Sequence, residues 1–392
     1  MASQFSLPSF FRKMPNALLK RYFERHELFD DVDFETMPEA KPEALRAAWD
    51  ALSDKKRGEI EPQFRQIFDL ASEKGFHAIR DEARWQLSDA EPEYAAFIER
   101  MAAMKSHYER SMTTFLDHND YWRGATRFYH ADTLPYWRKR RGLPAKAAAI
   151  DLPSRFALAA DIGAWFHKAE GRGPNCHVDL LRRDQRDYFF AFPQDFANES
   201  IEWVEGDLAP RAHNPAFELV FVWSASEGTL DVNYRGARTA MEPLQAIFAR
   251  NALKLDELPP AGKDERVYDL NPLKLREFQF VRPADSGIES VRVRKLRLSS
   301  TVREGDRITL EADTTENRLA LYDVIERAGE AFPFDQWNVT QAEIVVNLAA
   351  TEDKPAWRET FTIGWPNSCS LKYDEIGLKL RAMLVASGIE PQ

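Results

Sequence analysis

Cysteine is nearly missing from this chain: only Cys176 and Cys369 occur in 392 residues. Two thiols so far apart exclude a disulfide framework and a four-cysteine zinc site, and they fit a reducing compartment, so a cytoplasmic location is expected. Long apolar runs are missing too. The longest uncharged apolar stretch lies near Leu219–Ser226, far short of the roughly 18 residues of a spanning helix, so no membrane contact is expected. Met1 to Phe11 carry no basic stretch ahead of an apolar core, which speaks against a secretory signal. Net positive charge is also lacking. With 53 Lys and Arg against 63 Asp and Glu, the formal charge of −10 excludes a uniformly basic coat for nucleic acid. The familiar chemical signatures are absent as well: no G-x-x-x-x-G-K-[ST], G-x-G-x-x-G, G-x-S-x-G or H-E-x-x-H is found. No cofactor is implied.

Aromatic residues, by contrast, are abundant, at 12% of a chain that is 44% apolar. That composition fills a core without help from metal or disulfides, and the length suits two or three domains. Residues 1–145 read as a helical domain that ends in a basic aromatic segment. Helical stripes run through Leu18, Leu19, Tyr22 and Phe23, with Asn16 as a cap, and through Leu45, Ala48, Trp49 and Leu52 after Pro42. A third stripe, Phe64, Ile67, Phe68 and Ala71, starts at Pro62 and is expected to stop at Gly75. A helix of about 25 residues is expected from Pro92, along Ile98, Met101, Tyr108, Met112 and Phe115.

After residue 175 the period becomes two. Phe217, Leu219, Phe221 and Trp223 alternate with polar or smaller neighbours, then Leu230, Val232 and Tyr234 alternate with Asp231, Asn233 and Arg235, which predicts a half-buried hairpin. A helix around Leu244, Ile247 and Phe248 follows. The end of the chain repeats the order: Ala342 to Leu348, a turn with Asp353, Lys354 and Pro355, Trp357 to Trp365, then a helix closed by Gly388 and Pro391. Earlier hairpins, Cys176–Leu181 with Tyr188–Phe192 and Val291–Leu298 with Arg307–Ala312, precede each half. The expected class is α+β: an all-helical N-terminal domain, then antiparallel modules at 150–255 and 277–392 with helices on one side. The modules read as two copies of one plan, joined by a linker at 256–276.

Two motifs carry chemistry. Three His-x-Asp triplets occur, His118–Asp120, His130–Asp132 and His177–Asp179. A carboxylate beside an imidazole fixes its tautomer and raises its basicity, as at metal sites and general bases. The bland alternative is capping, with His118-Asn119-Asp120 opening a helix at Tyr121. The second motif is a charge island. Residues 1–100, 151–250 and 301–392 carry net −5, −5 and −7, whereas 101–150 carries +5. Within it Arg123, Arg127, Arg138, Lys139, Arg140, Arg141 and Lys146 face Asp132 alone, interleaved with Tyr121, Trp122, Phe128, Tyr129, Tyr136 and Trp137. Basic groups neutralise phosphates and rings stack on unpaired bases. A smaller island includes Arg292 and Arg294, where the alternation slips at Lys295 and predicts a β-bulge.

The expected function is a non-enzymatic binding or assembly protein. Its basic aromatic segment, with Arg123, Arg127, Trp137, Arg138, Lys139, Arg140 and Arg141 joined by Arg292 and Arg294, contacts nucleic acid or an acidic protein partner, a second copy of the chain included. The alternative is a metal-dependent nuclease or other hydrolase using His118, Asp120, His130 and Asp132. Docking of the basic segment on acidic residues of the same chain, or a plain solvated face, accounts for the same charges without any ligand.

Overall fold

Helical stripes before residue 132 and alternating strands after it build two different units. The computed structural model describes residues 4–390 except 88–89, 184, 205, 261–265, 285, 330–332 and 351–354. Residues up to Ala131, with Glu199–Ala212, form one unit; Asp132–Asn198 and the chain from His213 form the other.

The first unit holds α1 (Leu7–Lys13), α2 (Asn16–Arg25), α3 (Glu43–Asp50), α4 (Asp54–Leu70), α5 (Glu73–Gln86), α6 (Glu91–Ala102), α7 (His107–Asp117) and α8 (Asn119–Ala131). Its core is aromatic. Phe64 lies 4.8 Å from both Phe10 and Tyr22, ring centre to ring centre, with Trp49 at 5.6 Å. The helix expected over 25 residues from Pro92 is two helices, because Ser106 accepts a hydrogen bond from Glu109 N and caps α7, while Glu109 Oε2 reaches back to Lys105 N. Helix α4 starts at Asp54 rather than at Pro62. Gly75 does not stop it; this glycine is the third residue of α5, where a Cβ would meet the Leu70 carbonyl oxygen at 2.2 Å.

The second unit opens with β1 (Trp137–Arg140) and α9 (Leu152–Glu170), then β2 (Cys176–Arg183) and β3 (Arg186–Pro193). A separate hairpin follows, β4 (Asn198–Val204) and β5 (Asp207–His213), most of which belongs to the first unit. The chain returns through β6 (Leu219–Ser224), β7 (Thr229–Tyr234), α10 (Met241–Asn251), β8 (Ile288–Ser300), β9 (Arg307–Glu311) and α11 (Ala320–Gly329). It ends with β10 (Trp337–Leu348), β11 (Trp357–Gly364), β12 (Ser368–Cys369) and α12 (Glu375–Ala386). Among the described residues ten strands make one antiparallel sheet, ordered β2-β3-β6-β7-β1-β12-β11-β10-β8-β9. The protein is therefore α+β, and the two predicted modules are the halves of one sheet.

The halves differ in pairing. In the first, four strands pair in chain order; in the second, β8 lies between β9 and β10. Each half has its own core: α9 and α10 cover Phe189, Phe221, Trp223 and Val232, and α12 adds Leu380, Met383 and Leu384 to Val293, Leu296, Ile344 and Ile363. The β6–β7 hairpin is buried on both faces rather than one, Asp231 and Asn233 included. On β8 the predicted bulge is present: Glu343 pairs with Lys295 and Ile344 with Val293, which leaves Arg294 unpaired. Of the expected linker, residues 261–265 lie outside the described residues, as do Asp353, Lys354 and Pro391. Its later part belongs to the core, with Tyr268 fully buried and both the Val267 and Tyr268 amides donating to the Pro366 carbonyl.

Candidate functional site

Strand β1 turns the run of cations into two opposed sets. Side chains alternate across a strand, and the register places Arg138 opposite Val232, Lys139 opposite Asp231 and Arg140 opposite Leu230. Arg138 and Arg140 thus share a face with the first core. Trp137 and Lys139 take the other face, where Trp137 sits opposite Cys369. Trp137 is 0% exposed, donates its indole N–H to the Leu134 carbonyl, and meets the Tyr373 ring edge-on at 5.1 Å. It offers no stacking face to a base.

Where β1 ends, a cavity of about 1030 Å³ opens within the second unit. Its cations come from five places. Arg138, Lys139, Arg140 and Arg141 come from β1 and its exit, Arg186 from β3, and Arg238 from the 3-10 turn ahead of α10; Arg266 and α12's Arg381 complete the set. Three carboxylates line it as well: Glu227, Glu242 and Glu390. Several of the cations are engaged. Arg186 pairs with Glu227 at 2.7 Å, Arg141 donates to the Arg266 carbonyl at 3.3 Å, and Arg140 donates to Gln245 and the Pro259 carbonyl. Arg138 and Arg238 differ. Neither has a hydrogen-bond or ion-pair partner among the described residues, and burial followed by the Arg238 charge holds the Arg138 pKa below its usual value. The first turn of α10 (Met241, Glu242) also reaches the cavity; its Met241 amide is bonded to the Arg238 carbonyl and Glu242 adds a carboxylate there.

The deep wall is built differently. Lys139 Nζ meets Glu390 Oε1 at 2.6 Å, with both side chains almost wholly buried. Arg381 lies over the Tyr373 ring at 4.2 Å and donates Nη2 to the Leu371 carbonyl. Among the described residues its Nε and Nη1 have no hydrogen-bond partner, and neither do the Tyr268 hydroxyl and Glu390 Oε2, while the Tyr373 hydroxyl faces Asp231. Burial raises both phenols well above the ordinary tyrosine value. These atoms are sealed from solvent, where polar groups are rarely left unpaired, so the neighbourhood is unusual.

The other predicted residues lie elsewhere. Arg123 and Arg127 stand on α8 of the first unit, so the basic segment is divided at Ala131. Arg292 and Arg294 are on β8, four strand spacings from β1, roughly 19 Å. Arg294 is held by Glu343 at 2.8 Å and Glu311 at 3.3 Å. Arg292 is buried beside Arg358 and Arg318, and burial lowers its pKa. Among the His-x-Asp triplets, His177 and Asp179 do meet on one face of β2, at 2.9 Å. Asp132 instead takes a bidentate pair from buried Arg183, at 2.5 and 2.9 Å. His118 stacks on Tyr121 at 5.4 Å and touches Phe97 and Arg100; burial, then Arg100, lowers its pKa. Among the described residues no three His, Cys, Asp or Glu side chains converge.

Sequence reasoning missed Arg238, Tyr268, Tyr373, Arg381 and Glu390. Arg381 carried a readable signal: it is the lone charge in the run Leu380 to Val385, on a helix whose neighbours are core residues. No family model matches the chain, and no curated protein is similar to it.

Proposed function

We propose that the protein is a binding protein that receives a phosphate-bearing anion, without chemical turnover, in the cavity at the end of β1. The observation that carries this reading is the pair Arg138 and Arg238, two guanidinium groups brought near each other with no carboxylate between them. Arg138 is half-buried and Arg238 exposed; a second positive charge brought up to a half-buried one costs free energy, and an anion seated between them removes that cost. Seven of the eight cations lining the cavity are arginines, whose planar donor fork matches phosphate oxygens two at a time. The binding role expected of the 121–146 segment is kept, but its place moves from an exposed aromatic surface to a concavity. A flat acidic protein face does not enter a concave site, whereas a phosphate chain does.

Titration of the full chain with inorganic tripolyphosphate and with a fluorescent single-stranded oligonucleotide tests the reading. We expect binding at low salt that weakens as salt is added. Arg138→Ala with Arg238→Ala should lower affinity by about tenfold or more, the effect of losing charge-assisted hydrogen bonds worth roughly 1.5–3 kcal/mol. With magnesium present the oligonucleotide should stay intact. Absence of binding by either probe at low salt sinks the proposal, and cleavage sinks its non-enzymatic part.

A further inference from the structure

Helix α9 has no polar face along most of its length. Its inner side carries Leu158, Ile162 and Phe166 into the first core. At about 100° per residue, the opposite side holds Leu152, Pro153, Phe156, Ala157, Ala160 and Ala164, all exposed and none polar. Leu152 keeps 57% and Phe156 65% of its surface open, and Ile150, just ahead of the helix, keeps 41%. Surface helices turn charged and polar residues outward; one that is apolar on both sides has both sides covered. Asp161 stands at the rim of this stripe, where it accepts from Arg250 and Asn251. On the exposed side the stripe ends only at His167 and Lys168. A continuous apolar surface with a polar rim marks an interaction site.

The stripe is uneven in a way that fits itself. Its bulk lies in the first half, at Leu152 and Phe156, and its small side chains in the second, at Ala160 and Ala164. Two copies of α9 crossing antiparallel at Ala160 set each Phe156 against the partner's Ala164, a large residue into a small one. The same crossing brings Asp151 toward the partner's Lys168 and opposes the two helix dipoles. Asp151 is held in place there, since its carboxylate caps α9 by accepting from the Ser154 amide at 2.8 Å. A lipid surface suits the stripe less: helices lying in a membrane interface are rich in Lys and Arg on the polar face, and the exposed side of α9 has neither before Lys168. We infer that the chain forms a twofold dimer through the outer face of α9, each copy covering the stripe of the other. None of these residues lines the cavity at β1, so dimerisation and anion binding are tested apart.

Sedimentation equilibrium on the full chain tests it. The parent protein should be a dimer at micromolar concentration. Phe156→Asp should weaken self-association by about thirtyfold or more, the scale of a central anchor side chain. Because Phe156 is exposed, that variant should keep the far-ultraviolet spectrum of the parent protein. With a short bismaleimide, Ala160→Cys should link to its own copy, because a residue on the twofold axis meets itself. Lys168→Cys should not, lying about 24 Å from its counterpart at 1.5 Å rise per residue. The parent protein, with Cys176 and Cys369, is the control. Vesicles of phosphatidylcholine and phosphatidylglycerol should leave the parent protein in the supernatant. A chain that stays monomeric at every concentration overturns the inference. So does a dimer that survives Phe156→Asp, a dimer whose Ala160→Cys form does not link, or a monomer that sediments with vesicles and loses them in Phe156→Asp.

Discussion

Adjacent residues of β1 do opposite work. Lys139 points into the protein and is closed off with Glu390, whereas Arg138, one residue away, has a like charge for a neighbour and no acid. Breaking a buried pair from one side strands the other charge, at about 3–5 kcal/mol. Lys139→Met should therefore cost the protein several kcal/mol in chemical denaturation, with Glu390 left bare. Arg138→Gln should go the other way, because it removes a guanidinium whose charged form is already disfavoured by burial and by Arg238. Its melting temperature should equal or exceed that of the parent protein, while anion binding drops. A Lys139→Met protein as stable as the parent, or an Arg138→Gln protein clearly less stable, contradicts this division of labour. Four cations in a row look alike in the sequence; the pleat of one short strand separates them.

At the scale of elements, the cavity depends on where α12 begins. Asp374 caps the helix by accepting from the Gly377 amide at 2.8 Å, and the chain before it folds so close that a Cβ on Gly377 would lie 2.1 Å from the Lys372 carbonyl oxygen. A backbone atom cannot step aside as a side chain can. Gly377→Ala should cost roughly 1–3 kcal/mol through overpacking and shift the helix that carries Arg381, so both the denaturation midpoint and the affinity for the bound anion should fall. Unchanged affinity in this variant would mean that the placement of α12 does not matter to the site. The hairpins, by contrast, were readable from sequence alone: period two in β6, β7, β10 and β11, and the slip at Lys295, reflect contacts between residues close in the chain. Strand β1 was not, since its partners are β7 and β12, about 90 and 230 residues later, and its own pattern is a tryptophan followed by three charges. For the same reason the cations of β1 were legible as a candidate site, while the opposite walls were not. Helix α12 and Tyr373 reach the cavity only through the sheet. The break between α6 and α7 was legible in principle, as Ser106 and Glu109 spell out a capping box.

Across both units, burial raises the titration of most phenols and of both thiols. Eight of the eleven tyrosines have pKa values raised with burial as the leading cause, from Tyr22 in the first unit to Tyr373 in the second. Tyr322 is pushed up to about 12, and the Cys176 thiol likewise to about 12. In the unfolded chain these protons leave near the ordinary values, 9.0 for a thiol and 10.0 for a phenol. Between pH 9 and 12 the unfolded state thus holds fewer protons than the folded one, and linkage makes stability fall as pH rises. Below about pH 8 both states are protonated at these groups, so they contribute no slope there. The melting temperature should be insensitive to these groups up to about pH 8, begin to fall as the unfolded thiols ionise, and decline more steeply once the phenols follow. Phenolate absorbance should rise in two stages, a minority of tyrosines titrating in the folded protein and the remainder only as it unfolds. Tyr322→Phe supplies the control: one delayed proton is removed, so the decline of stability with pH above 10 should be shallower than in the parent protein. A single early titration of all the phenols, or an unchanged slope in Tyr322→Phe, would show that burial does not hold these protons.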